Sequence, residues 1–150
     1  MDKIKRKILS ECFVFLDDKT RVLEEIINSN KIALQSENKS SAGDKHETGR
    51  AMLQLEMEKV STQFEGLNQM RTTLNRTDIS EKSEIVRLGS LVKSSAGYYF
   101  LSISAGKVKV ENFEVYCISI VSPIGKLLLG AKKGFNFYFN ENKILIEDIY

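Results

Sequence analysis

The sequence predicts an α+β protein in which a long antiparallel helical hairpin precedes a small, mostly antiparallel sheet with one short helix. Apolar residues follow helical spacing in two stretches of nearly equal length, separated by the polar segment KSSAGDKHETG at 39–49. Beyond residue 83 the spacing changes, and short runs rich in Val, Ile, Tyr and Phe alternate with turn residues. The predicted domains are a hairpin at 1–77, a linker at 78–84 and a sheet domain at 85–150.

The first helical stretch starts near Ile4 and fades after Leu34. Its apolar residues recur at steps of three and four, although the steps at Lys19 and Asn30 are polar. A helix of about 30 residues rises about 45 Å at 1.5 Å per residue. The sequence therefore predicts an arm longer than a small domain needs for its own core.

The second helical stretch has a heptad repeat, with two further apolar residues at intermediate positions. Such a seam needs a partner helix, and the first helix is the nearest candidate. The short polar connection makes the pair antiparallel. The repeat is formed by Leu53, Val60, Leu67 and Leu74, and Met57 and Phe64 stand between them.

The region after the linker is predicted to form strands separated by turns at Gly89, Ala96-Gly97, Ala105-Gly106, Glu111-Asn112 and Asn140 to Asn142. Within it, the segment SPIGKLLLG at 122–130 has a Ser cap, a Pro at the first helical position and a terminal Gly, which indicates a short helix. The predicted strands are Val86 to Val92, Tyr98 to Ser104, Lys107 to Val110, Phe113 to Ile120, Phe135 to Phe139 and Lys143 to Ile149.

The composition is that of a folded, helix-tolerant protein. The chain has 150 residues, 42% of them hydrophobic, and a net charge of only +2, so overall charge makes no case for nucleic-acid binding. Cys12 and Cys117 have no metal-ligand spacing and are interpreted as buried thiols in a reducing compartment. The apolar start is broken by Glu11, and no run reaches the roughly 20 apolar residues of a membrane span. We therefore expect a cytoplasmic protein.

The predicted tip between the helices contains two carboxylates, Asp44 and Glu47, three residues apart. One interpretation is a capping box, in which both side chains satisfy free N–H groups at the start of the second helix. The other is that the pair serves divalent-metal chemistry at an exposed tip, since Mg²⁺ prefers oxygen ligands and keeps several waters. Two carboxylates alone cannot hold Mg²⁺, so such a site needs ligands from a partner. His46, between them, is interpreted as a solvated side chain.

Three groups of residues resemble the Gre family of bacterial transcript-cleavage factors. At the tip, Gly43-Asp44-Lys45-His46-Glu47 is similar to the family's Gly-Asp-x-x-Glu. In the sheet region, the Val86 to Ser90 segment resembles a family strand, and Ser122 to Gly134 is similar to its Ser-Pro and Leu-Gly-Lys series. The chain differs after Glu47, where Thr48-Gly49-Arg50-Ala51 replaces Asn-Ala-Glu-Tyr, and at Gly134-Phe135, where the family has Gly-Asp.

The resemblance implies a coiled coil followed by a domain of FKBP-like fold, in a protein that is not itself an enzyme. It implies that the chain binds RNA polymerase through the secondary channel and meets the transcript 3′ end there. Asp44 and Glu47 are the implied catalytic pair, completing a composite Mg²⁺ site shared with the polymerase, and no membrane or small-molecule substrate is expected. Candidates for docking to the polymerase are Ser122, Pro123, Lys126, Lys132 and Lys133.

Two alternatives stay open. The changed residues after Glu47 allow a regulator that binds the polymerase without stimulating cleavage, acting as an inhibitor or as a competitor of other channel-binding factors. The FKBP-like resemblance also allows a peptide-binding module or prolyl isomerase, although that chemistry usually uses a pocket containing Trp, and this chain has none. Neutralising both acids separates the first alternative from the cleavage factor.

Overall fold

Two long helices make up the first half of the computed structural model, which describes the backbone of residues 1–39 and 43–150 and the side chains of 1–36 and 47–150. Helix α1 spans Asp2–Lys39, 38 residues, and helix α2 spans Gly43–Arg76, 34 residues. Helix α1 therefore continues beyond Leu34, where its apolar pattern fades. The added residues include neither Gly nor Pro, so nothing in their backbone preferences ends the helix there.

The heptad seam of α2 is the less exposed face of that helix. Val60 and Leu74 are buried, and Leu53, Met57, Phe64 and Leu67 are half-buried. The residues between these positions are mostly exposed, including Met52 and Leu55. One-sided burial at this period confirms an amphipathic helix. The arrangement of α1 and α2 as an antiparallel coiled coil remains a prediction.

By compactness, the chain divides into one unit of Met1–Phe15 with Arg71–Tyr150 and another of Leu16–Met70. Both long helices contribute to both units. The predicted ranges 1–77, 78–84 and 85–150 follow the order of elements along the chain and remain a prediction.

Asn30 is a polar position of the α1 seam, and it is 7% exposed, inside the second unit. Its Nδ2 group has no hydrogen-bond partner among the described residues. A buried donor without a partner costs about 1 to 3 kcal/mol. Such a residue is retained in some helix pairs because it fixes the register of the two helices.

We therefore expect Asn30→Leu to raise the free energy of unfolding by about 1 to 3 kcal/mol, because it removes the unpartnered donor and adds apolar contact. Urea unfolding followed by circular dichroism measures this change. Asn28→Leu is the matched control, since Asn28 is exposed on the same helix. Equal effects of the two substitutions would contradict the assignment.

The sheet has six strands in the order β3-β4-β2-β1-β6-β5. Only β2 and β4 pair in parallel, and the other four pairings are antiparallel, which confirms the mostly antiparallel prediction. The short helix α3 spans Pro123–Leu128 between β4 and β5. The strands are β1 Leu91–Ser94, β2 Gly97–Ser102, β3 Gly106–Val110, β4 Phe113–Ser119, β5 Asn136–Phe139 and β6 Asn142–Ile149.

The first strand is placed differently from its prediction at Val86 to Val92. A turn at Gly89, with φ of +88°, precedes β1, and the segment before it forms only an isolated bridge between Ile85 and Lys132. A Cβ on Gly89 would lie 2.4 Å from the Asp78 carbonyl oxygen, so this turn requires glycine.

The two faces of the sheet are covered by different elements of the first unit. On one face, Val92, Leu101 and Ile146 form a core with Ile124 and Leu128 of α3. Alternate residues point to opposite faces of a strand, so Phe100, Ser102 and Cys117 face the other way. There the Cys12 thiol of α1 lies 3.7 Å from the Ser102 hydroxyl. The start of α1 therefore lies against the sheet face opposite α3.

Candidate functional site

The predicted catalytic pair lies at the start of α2. Helix α2 is described from Gly43 onward, so Asp44 lies in its first described turn. The side chains of Asp44, Lys45 and His46 lie outside the described residues. Glu47 and Arg50 are exposed.

Carboxylates suit this position because the first turn of a helix is the positive end of its dipole. Positions 44 and 47 are three residues apart along α2. Among the residues whose side chains are described, no three His, Cys, Asp or Glu side chains come together as a metal-binding group.

The docking candidates surround α3, whose start is fixed by its sequence. The Ser122 hydroxyl accepts a hydrogen bond from the Gly125 N–H at 3.1 Å and donates one to the Ser119 carbonyl at 2.6 Å. Pro123 occupies the first turn of the helix. The cap and proline predicted from the sequence are confirmed, and both have a structural role at the end of β4.

The lysines near α3 are exposed. Lys133 Nζ lies 3.5 Å from Asp148 Oδ1, an exposed pair that contributes little to stability. Lys126 and Lys132 are exposed as well. Sequence reasoning missed the apolar side chains beside them, of which Val121 is 70% exposed and Leu127 and Leu129 are 40% and 45% exposed. The α3 surface therefore combines positive charge with exposed apolar area.

Buried ionisable groups occur where α1 meets the sheet. Cys12 and Cys117 are buried free thiols, as predicted. The hydrogen bond with Cys12 and burial both raise the pKa of Cys117, so its thiol stays protonated. Lys5 is only 3% exposed, and burial lowers its pKa. Lys5 precedes Ile8 by three residues and Cys12 by seven, which places it on the buried stripe of α1. This spacing is the feature of the sequence from which its burial could have been predicted.

No family model matches the chain, and no curated protein matches it. No helix in the ranges 1–39 and 43–150 combines the length and apolar character needed to cross a membrane.

Replacing Lys5 with methionine is expected to stabilise the protein by about 1 kcal/mol or more near neutral pH, because the substitution removes a buried charge. The folded pKa of Lys5 lies below its ordinary value of 10.5, so the unfolded chain binds this proton more tightly. The stability of the native protein therefore rises as pH increases toward 10.5, and the advantage of the variant shrinks over the same range.

Urea unfolding at a series of pH values measures this difference. Lys143→Met is the control, since Lys143 is exposed at the start of β6. A Lys5→Met advantage that is absent, or that grows with pH, would contradict the assigned cause.

Proposed function

We propose that this protein is a Gre-like transcription elongation factor, which binds RNA polymerase and stimulates cleavage of backtracked transcripts. The proposal rests chiefly on one observation. Two helices of 38 and 34 residues are separated by three residues, and two carboxylates follow within the first turns of the second helix. These acids coincide with the Gly-Asp-x-x-Glu resemblance at Gly43 to Glu47.

The helix lengths support delivery of the acid pair to a recessed site. At 1.5 Å per residue, the 34 residues of α2 rise about 50 Å. A connection of three residues favours an antiparallel pair. The half-buried and buried seam of α2 supports pairing along its length. We therefore propose an antiparallel coiled coil that enters the secondary channel of the polymerase with Asp44 and Glu47 at its leading end.

The chemistry proposed for the tip is assistance, because two carboxylates cannot build a complete metal site. Mg²⁺ held jointly by the polymerase and this pair would activate a water molecule and neutralise charge on the phosphate that the water attacks. Asp44 and Glu47, three residues apart along α2, would contribute oxygen ligands. The exposed Glu47 carboxylate is available to a partner without rearrangement of its surroundings.

The sheet unit is proposed to dock on the outside of the polymerase through the α3 surface. Lys126, Lys132 and Lys133 supply positive charge there, and Val121 and Leu127 supply exposed apolar area. Such a mixture is typical of a protein interface, with an apolar centre and a charged rim.

A second candidate is favoured by the residues after Glu47, where Gly49 and Arg50 depart from the family pattern. In this candidate the protein occupies the channel without stimulating cleavage. Both candidates require binding to RNA polymerase with the start of α2 near the active centre.

A photo-crosslinking amino acid at position 50, which is exposed and about one turn beyond Glu47, tests this shared requirement. We expect crosslinks to the catalytic subunit close to its active centre, and excess unlabelled native protein should abolish them. Lack of association with the cognate polymerase, or crosslinks confined to its outer surface, would contradict the proposal.

A further inference from the structure

A cavity of about 670 Å³ lies within the first compact unit, between the start of α1 and the segment after α2. Lys5 lines it from α1, and Ile79 and Lys82 line it from the segment after α2. Ile149, the last residue of β6, and the following Tyr150 also line the cavity. This volume falls within the range of pockets that bind small molecules in other proteins, about 300 to 1,000 Å³.

The side chain that distinguishes this cavity is Lys5. The residue is only 3% exposed, and its ammonium group forms no hydrogen bond or ion pair in the part of the chain that the structure describes. Other lysines of the same unit have a carboxylate partner, such as Lys93 with Glu147 at 3.5 Å and Lys107 with Glu114 at 2.7 Å. The Lys5 ammonium is not itself fully buried, so it is accessible from the cavity.

The charges around the cavity favour an anion. Lys82 adds an exposed ammonium group to that of Lys5, and Lys3 adds one that lies 3.9 Å from the Glu111 carboxylate outside the cavity. Asp2 and Glu84 are the acidic side chains among the lining residues. Asp2 interacts with Lys5 only over a longer distance than an ion pair. The side chains that line the cavity therefore have an excess of positive charge.

The remaining walls are apolar. Ile79 and Tyr150 are half-buried lining residues, whereas the Ile149 side chain packs against the core on the α3 face of the sheet. An ion such as phosphate alone would leave this apolar surface uncovered, whereas a ligand with an apolar body would cover it. Burial of apolar area contributes about 25 cal/mol per Å².

We infer that this cavity binds a small organic anion, whose carboxylate or phosphate group pairs with the Lys5 ammonium and whose apolar body lies against Ile79 and Tyr150. The inference does not depend on the proposed role in transcription, because it uses none of the residues of the α2 start or of α3. Ligand binding would give the Lys5 ammonium an anionic partner.

Nuclear magnetic resonance titrations of the full chain with phenyl phosphate, benzoate, inorganic phosphate and benzyl alcohol test the inference at constant ionic strength. We expect both aromatic anions to shift the amide signals of Lys5, Ile79 and Tyr150. Phenyl phosphate and benzoate distinguish a preference for phosphate from one for carboxylate. Inorganic phosphate lacks the apolar body, and benzyl alcohol lacks the charge. Each is expected to bind at least about tenfold more weakly than the aromatic anions.

The variant Lys5→Met should weaken binding of the better aromatic anion about tenfold or more, since a hydrogen bond to a charged group is lost. Lys5→Arg keeps the cation and should retain binding, and Lys143→Met should bind as the native protein does. Equal binding by native protein and Lys5→Met, equal binding of benzyl alcohol, or signals that shift only elsewhere would overturn the inference.

A second measurement on the native protein does not depend on any variant. The titration of Lys5 is followed through its side-chain Cε signal with and without the better aromatic anion. Pairing with an anion favours the charged amine, so the pKa of Lys5 should rise on binding. An unchanged pKa at saturating ligand would overturn the inference as well.

Discussion

Replacing Gly125 with alanine is expected to destabilise the sheet unit by about 3 kcal/mol, the largest stability effect that we predict for a single methyl group. A Cβ at this position would lie 1.9 Å from the Ser119 carbonyl oxygen and 2.9 Å from the Ser122 hydroxyl. The obstructing oxygen belongs to the backbone at the end of β4, so a side-chain rotation cannot relieve the clash. The start of α3 would have to move, with its buried residues Ile124 and Leu128.

Urea unfolding followed by fluorescence of the tyrosines, most of which lie in the sheet region, measures this loss. Gly66→Ala in α2 is the control, because nothing lies within 4 Å of the added Cβ. A glycine inside a helix costs up to about 1 kcal/mol relative to alanine, so the control should be neutral or stabilising. A native-like stability for Gly125→Ala would contradict the close approach of α3 to β4.

The double substitution Asp44→Asn and Glu47→Gln is expected to abolish stimulated transcript cleavage while leaving polymerase binding intact. The amides keep the size of both side chains and remove the charge that would bind a divalent ion. Loss of a positioned catalytic group typically lowers a rate by about 100-fold or more. The cleavage rate should therefore fall to that of the polymerase alone.

The control for this experiment is Glu56→Gln with Glu58→Gln, which removes two exposed acids further along α2. It changes the net charge by the same amount and should preserve cleavage. Equal activity of the two double variants would contradict a specific role of the tip acids. Loss of polymerase binding in the tip variant alone would assign the acids to docking.

Elements with a strong local signal were predicted well from the sequence. The seven-residue repeat of α2 requires one buried face, and Val60 and Leu74 are buried. The turns between β3 and β4 and between β5 and β6 were predicted from their residues, and both contain positive φ, as at Glu111 with 54° and Asn140 with 48°. The cap and proline of α3 determine its start through the Ser122 hydroxyl.

Features that depend on contacts distant in sequence were not predictable in the same way. Periodicity does not reveal that β2 pairs with β4 in parallel, because either direction preserves alternation of the faces. The Val86 to Val92 run was predicted as a strand because its composition suits one. However, the close approach of Gly89 to Asp78 turns the chain there.

The two candidate sites also differ in how far a local sequence signal reveals them. Asp44 and Glu47 are recognisable because they are three residues apart in a polar segment. Lys5 gave a weaker signal, since a lysine beside Ile4 at the start of a helix is normally solvated. Its burial depends on the segment after α2 and on the end of β6, which helix periodicity cannot place.

The proposed function is tested most directly by the length of the RNA in a stalled, backtracked elongation complex of the cognate polymerase with Mg²⁺. Adding the native protein should shorten the transcript from its 3′ end much faster than the polymerase does alone. A complex that binds the protein while its RNA remains intact would contradict cleavage stimulation, and it would favour the channel-occupying regulator instead.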